Sequence, residues 1–202
     1  MEAIVRTAQS EKWPARIAAV ISNRADAAGL EFASSMGIPT AVVPSKGYAS
    51  REAFDAVLQE KIDQYEADLV VLAGFMRILT APFVEHYSGR MINIHPSLLP
   101  SFRGLHTHQQ AIDAGVKVHG ATVHFVTPDL DVGPIIAQAV VPVLREDTED
   151  TLAARVLRQE HVIYSRAIQW IAEGKVTIEN NKALIDPSVD ASQQFFFSKE
   201  YQ

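Results

Sequence analysis

MINIHPSLLPSFRG, residues 91–104, is the stretch from which the rest of the chain can be placed. Met91 to Ile94 is apolar at three of four positions, as a strand buried on both faces requires. Asn93 and His95 stand two residues apart at its end, and alternation along an extended segment sends both side chains the same way. Pro96 and Pro100 stiffen the loop that follows. A His that titrates near neutrality is a proton shuttle, and an Asn amide can donate to a developing oxyanion. The same residues also suit a structural His that closes a strand.

On either side, short β-branched runs alternate with amphipathic ones. ARIAAVISN (15–23), TAVVP (40–44) and DLVVLAG (68–74) read as buried strands; residues 25–37, stopped by Gly37, read as a helix. Residues 50–67 form another, with Ser50 as N-cap and Phe54, Val57, Leu58, Ile62 and Tyr65 at helical spacing. Buried strands separated by helices predict an α/β fold: a doubly wound, mostly parallel sheet with helices on both faces. After residue 120 the rhythm changes. GATVHFVT and PIIAQAVVPV are joined by PDLDVG with no helix between, which predicts antiparallel strands near the C-terminal half. A long helix over 148–174 and a hairpin over 176–186, turning at Asn180–Asn181, follow. The expected organisation is one domain over 1–186 and a tail over 187–202 that is polar apart from Phe195–Phe197 and is expected to be mobile or loosely docked.

The 202 residues are 48% hydrophobic and 21% charged, enough for a substantial core. Net charge is −6, with no run of Lys or Arg, so nucleic acid and anionic membranes are poor partners. No apolar stretch approaches the ~18 residues of a membrane span. There are no cysteines, which excludes disulfides, Cys–zinc sites and a Cys nucleophile and suits a reducing cytoplasm.

Further candidates carry two meanings each. Asp131, in LDVGP, could raise the pKa of an imidazole and orient it, or could be a turn Asp before Gly133–Pro134. Five of seven histidines lie between 95 and 124 (His95, His106, His108, His119 and His124), yet they show no zinc spacing, and no metal is expected. GFMRIL (74–79) could edge a pocket with its main chain or be a plain βα turn. Glu160 could face the sheet mouth or solvent. Arg51, one residue past its helix cap, could meet an anion or simply be exposed.

Together, DLVVLAGFMRIL, NIHPSLLPSFRGLHTHQQAI, HGATVHFVTPDLDVGPIIAQ and QEHVIY resemble the phosphoribosylglycinamide formyltransferases, folate-dependent transformylases of purine synthesis. The resemblance covers residues 1 to about 186. It implies a catalytic trio of Asn93, His95 and Asp131. It implies folate contacts from Arg51, from Met76, Arg77, Ile78 and Leu79, from Asn93, and from Thr127, Pro128, Asp129, Leu130 and Asp131. It implies that the ribonucleotide meets Leu157, Arg158, Gln159 and Glu160; Leu157 is apolar where relatives can carry an amide, so a contact there would use the backbone. The implied co-substrate is 10-formyltetrahydrofolate and the acceptor is glycinamide ribonucleotide, in a cytoplasmic monomer or homodimer. Formyltetrahydrofolate hydrolysis and a folate-binding remnant without transferase activity are the alternatives. The family opens on a strand and a GxGSN turn that wraps the substrate phosphate. This chain begins just after that turn, in helix-like EAIVRTAQS, so the expectation is an internal Met1 in a longer protein, or else a truncated form.

Overall fold

A computed structural model describes residues 1–190 and 195–197. The helices are α1 (Glu2–Ser10), α2 (Ala28–Ser35), α3 (Arg51–Asp63), α4 (Ala81–His86), α5 (Thr107–Asp113) and α6 (Glu149–Ala172). The strands are β1 (Val20–Ser22), β2 (Thr40–Val42), β3 (Val70–Leu72), β4 (Met91–His95), β5 (Val118–Phe125), β6 (Ile135–Pro142), β7 (Val176–Glu179), β8 (Lys182–Ile185) and β9 (Phe195–Phe197). β1 and β2 pair in parallel as a separate ribbon, and the main sheet runs β3-β4-β5-β6-β9. Within it β3 and β4 are parallel, β5 runs antiparallel to both of its neighbours β4 and β6, and β9 returns parallel to β6. The predicted α/β sheet with antiparallel strands toward the C-terminus is thus what forms.

Alternation along β4 separates the two faces. Ile92, fully buried, joins Ala121, Val123, Ala137 and Ala139 against α6 residues Leu152, Val156 and Ile163. Met91 points the other way, into a second core with Val70, Phe54 and Leu58 of α3, and Phe83 and Val84 of α4. Each such large side chain contributes roughly 1.5–3 kcal/mol by leaving water. Helices on both faces follow from these two apolar sets.

The strand expected over 15–23 is only Val20–Ser22, because β2 offers three residues opposite it. The helix expected over 25–37 is trimmed to Ala28–Ser35, and Gly37 at φ 71° leads the chain out. Asn180 and Asn181 turn the β7–β8 hairpin with φ of 50° and 60°, as a two-residue primed turn needs. The loose tail does not hold for Phe195–Phe197. It adds a strand to the β6 edge, and Phe196 packs on the main core, because that edge offers unpaired main chain beside apolar surface. Val189, also in the expected tail, is buried in the main core, while 191–194 and 198–202 lie outside the described residues.

The start of α6 is pinned. Thr148 and Thr151 form a reciprocal cap. Asp147 receives both guanidinium nitrogens of buried Arg155 at 2.7 and 2.8 Å. Those hydrogen bonds, with others from Leu144 N and the Thr151 hydroxyl, hold the Asp147 carboxyl down to about 2.

Candidate active site

β4 ends at His95, and its side chain is almost fully enclosed. The ring Nε2 lies 3.0 Å from the main-chain oxygen of Phe102, which can only accept. Nδ1 lies 3.6 Å from Asp131 Oδ2. Both ring nitrogens therefore face oxygens. The separation across Nδ1 is an ion-pair distance rather than a hydrogen bond.

Asp131 reaches His95 from the loop after β5. Its backbone sits at φ 55°, a left-handed conformation that costs a non-Gly residue of order 1 kcal/mol or more. The carboxylate contacts offset that cost: Oδ2 accepts from Gly104 N at 3.1 Å while facing the imidazole. Gly133 closes the same loop so tightly that a Cβ there would lie 1.8 Å from the Phe125 oxygen.

A second imidazole flanks Asp131. His124 Nε2 is 3.9 Å from Asp131 Oδ1, too far for a hydrogen bond. His124 Nδ1 donates to the Phe125 carbonyl at 2.9 Å, since that oxygen can only accept, so Nε2 carries a lone pair. Burial pushes His124 below its ordinary value, against the raising effects of the Phe125 hydrogen bond and of Asp131. His124 is neutral at pH 7, and His95 is the nearer of the two rings to the Asp131 carboxylate.

Asn93 lies opposite His124 in the β4–β5 ladder, on the same face as His95. Among the described residues its side-chain amide makes no hydrogen bond, which leaves its N–H groups available. The structure thus brings together Asn93, His95 and Asp131. His124 was visible in the sequence only as one of a histidine cluster. The signal that singles it out is alternation: Thr122 and His124 are the polar residues on one face of β5, while Ala121, Val123 and Phe125 fill the other. The Phe102 oxygen and Gly104 N–H carry no sequence signal, because every residue has them.

The remaining candidates ring this centre on other elements. β3 pairs beside β4 with Leu72 opposite Asn93, so the 73–79 loop starts next to the strand end. Met76 and Ile78 in that loop are exposed, Leu79 packs on the second core, and Arg77 stacks over Phe54 and donates to Ser45 O at 3.1 Å. Arg51 is the exposed first residue of α3. Thr127 bonds the Asp129 carbonyl, Pro128 and Asp129 are exposed, and Leu130 projects beside Asp131. Tyr164 of α6 donates its hydroxyl to the Leu72 carbonyl at 2.6 Å, with the Ile92 carbonyl 3.2 Å away. Glu160 lies one turn earlier on that helix face, nearer the α6 N-terminus, where His106 and Glu149 approach to 3.7 Å. Burial raises the Glu160 carboxyl. Leu157 and Arg158 are exposed, and Gln159 is half-buried. No group of three or more His, Cys, Asp or Glu that could hold a metal occurs among the described residues. No helix among them is long and apolar enough to cross a membrane.

Comparison with known proteins sets this geometry in context. The family model for formyl transferase matches residues 1–168. A phosphoribosylglycinamide formyltransferase of Escherichia coli (strain K12) is 50% identical over 186 residues, 92% of this chain and 88% of that protein. The crystal structure of glycinamide ribonucleotide transformylase 1 from Symbiobacterium toebii matches with a TM-score of 0.87 at 48% identity, over 92% of this chain and 87% of that one. A formyltetrahydrofolate deformylase from Pseudomonas syringae pv. tomato is more distant, at 34% identity and a TM-score of 0.85, over 92% of this chain and 61% of that one.

Proposed function

The chain belongs to the formyl transferase family, and from that premise we propose that it transfers the formyl group of 10-formyltetrahydrofolate to the amine of 5'-phosphoribosylglycinamide in purine biosynthesis. The transformylases are its nearer relatives on both identity and coverage, which favours transfer over hydrolysis. The observation that carries the chemistry is the enclosed His95–Asp131 pair, 3.6 Å apart, with an uncommitted Asn93 amide on the same face.

In this reading the catalytic domain is residues 1–186, the setting is the cytoplasm, and the partners are small molecules. Met76, Ile78 and Leu130 present exposed apolar side chains around the strand end, which suits the flat ring of a folate. The contacts to it come from Arg51, Met76 to Leu79, Asn93 and Thr127 to Asp131. The ribonucleotide lies along Leu157 to Glu160, where the half-buried Glu160 carboxylate accepts hydroxyl hydrogen bonds. No metal is invoked.

The acceptor amine forms its new bond to the formyl carbon without a protein nucleophile, in keeping with a chain that has no cysteine. Asn93 and the protonated ring of His95 donate hydrogen bonds to the charge growing on the formyl oxygen. Asp131 supplies the counter-charge and aims the ring. His95, directly or through a water, gives its proton to the folate nitrogen as the old C–N bond breaks, and the proton shed by the amine then restores the charged ring. Enclosure strengthens each of these interactions, and holding two substrates side by side removes much of the entropic barrier.

Purified protein is to be given 10-formyltetrahydrofolate with and without the ribonucleotide, with mass spectrometry following both products. Formylated ribonucleotide together with free tetrahydrofolate is the expected result. Folate consumption that ignores the ribonucleotide would mean hydrolysis. Folate binding with no turnover would mean a remnant.

A further inference from the structure

One rung of the main sheet runs across three strands. His95 of β4 lies directly opposite Thr122 of β5, which lies directly opposite Gln138 of β6. Directly opposed residues share a face, so the three side chains stand in a row. His95 belongs to the site already described; Thr122 and Gln138 have no role in it so far.

The hydroxyl of Thr122 and the amide nitrogen of Gln138 use all their hydrogen-bonding sites. The Gln138 amide nitrogen donates to the Leu99 carbonyl and to Thr122 Oγ1, both at 3.0 Å. Thr122 Oγ1 also accepts from Leu99 N at 3.0 Å and donates to the Ser97 carbonyl at 2.7 Å. A hydroxyl has one donor and two acceptor sites, and an amide NH2 has two donors. Every one is used, so the orientation of both groups is determined. Thr122 is fully buried, which makes any unfilled partner expensive.

These bonds hold Ser97 and Leu99, the middle of the loop that leaves His95. Ser97 Oγ then closes the turn onto the Ser101 carbonyl at 2.6 Å. Just beyond, the loop delivers its two main-chain contacts to the catalytic pair: the Phe102 oxygen to His95 Nε2 and Gly104 N to Asp131 Oδ2. Leu98 of the same loop lies against Gly120, where a Cβ would come within 3.0 Å of it and 1.8 Å of the Ala139 oxygen. The loop therefore rests directly on the sheet, and polar bonds from β5 and β6 set its register.

We propose that Gln138, acting through Thr122 and the Ser97–Leu99 segment, is a positioning residue that sets the loop contacts on His95 and Asp131. It touches neither substrate in this scheme. The inference rests on the formyl-transfer reading for its kinetic test, but not for its spectroscopic one. Gln138→Met keeps length and volume and removes both donors, leaving the Leu99 carbonyl and one Thr122 lone pair unfilled. Because misplacement of a reacting group by about 1 Å can cost on the order of 100-fold, kcat is expected to fall about 10- to 100-fold. The KM values of both substrates should stay within about threefold, since the proposed binding elements lie elsewhere. Thr122→Val combined with Gln138→Met should cost less than the two single effects added together, because both remove the bond they share while Gln138 alone also holds the Leu99 carbonyl.

Nitrogen-15 spectra of the His95 ring report the Phe102 contact without any turnover. Loss or displacement of the hydrogen-bonded Nε2 signal in Gln138→Met is expected. An unchanged ring spectrum overturns the proposal whatever the kinetics. So does a kcat within twofold of the parent, or a loss that disappears once the rate is divided by the folded fraction from a thermal melt. If the parent protein itself transfers no formyl group while the spectral change is present, the functional reading fails and the positioning role stands.

Discussion

Two adjacent rungs of the same three strands do opposite work. Ile94, Val123 and Ala137 face α6 and join the main core. On the next rung, His95, Thr122 and Gln138 face the other way and carry a hydrogen-bonded polar row under a loop. The ladder is shared, so the backbone cannot distinguish them. The difference teaches that stability and chemistry are separated here by the pleat: a period of two lets one strand anchor the fold with one face and hold the site with the other.

That separation is exposed to mutation, and His95→Ala is expected to have the largest effect. Removing the proton shuttle should lower kcat by about 100- to 10,000-fold while the thermal melt shifts little, as steady-state rates and calorimetry on the same sample will show. Turnover close to the parent's would take His95 out of the mechanism.

Ile92→Ala should do the reverse. Ile92 is fully exposed to the core and not to solvent, and its truncation should cost about 2–5 kcal/mol in denaturant unfolding, with kcat per folded molecule nearly unchanged. A large kcat loss at full folding would show that the two faces are not independent.

Asp131→Asn keeps the shape and removes the charge opposite His95 Nδ1. We expect turnover to drop about 10- to 100-fold and the pH–rate profile to move to lower pH, because the ring loses its counter-charge. A profile that stays in place would break the coupling between them.

The smallest effect at any one pH concerns His119, the titratable residue on the apolar face of β4–β6. It is fully buried with neither ring nitrogen hydrogen-bonded, and burial, helped by neighbouring His108 and His95, pushes it down to about 4. Its ring packs edge-on against His108 and Phe102. Burial also lowers His108, with Glu149 opposing that shift. An unfolded His binds its proton near 6.5, so between about 4 and 6.5 the unfolded chain holds more protons than the folded one. Stability is therefore complete above that window and falls as pH drops through it, by roughly 3 kcal/mol at most for this group. His119→Phe should flatten the decline between pH 7 and 5 in thermal melts; an unaltered slope would assign the acid sensitivity elsewhere.

Much of this was legible beforehand. The strand at 91–95 and its neighbours announce themselves because apolar runs bounded by turn residues have few other uses. The hairpin at Asn180–Asn181 was legible because those side chains tolerate the left-handed backbone it needs. The shared direction of Asn93 and His95 followed from alternation alone. The extent of β1 was not legible, because a strand ends where its partner does and β2 is short. Nor was the pairing of Phe195–Phe197 with β6, since an apolar triplet does not say which edge it will meet.

By itself the chain's residue order determined the α/β class, the elements that carry the site, and the candidates Asn93, His95 and Asp131, because these depend on local periodicity and on side-chain chemistry. Only the tertiary structure decided that Asp131 stands 3.6 Å from His95, that His124 is neutral beside it, and that Gln138 bonds a loop beginning some forty residues earlier. Those facts depend on an irregularity in the β5–β6 register at Val123–His124, on a left-handed aspartate and on main-chain atoms. Contacts between distant segments arise from packing the whole chain at once, and no local pattern encodes them.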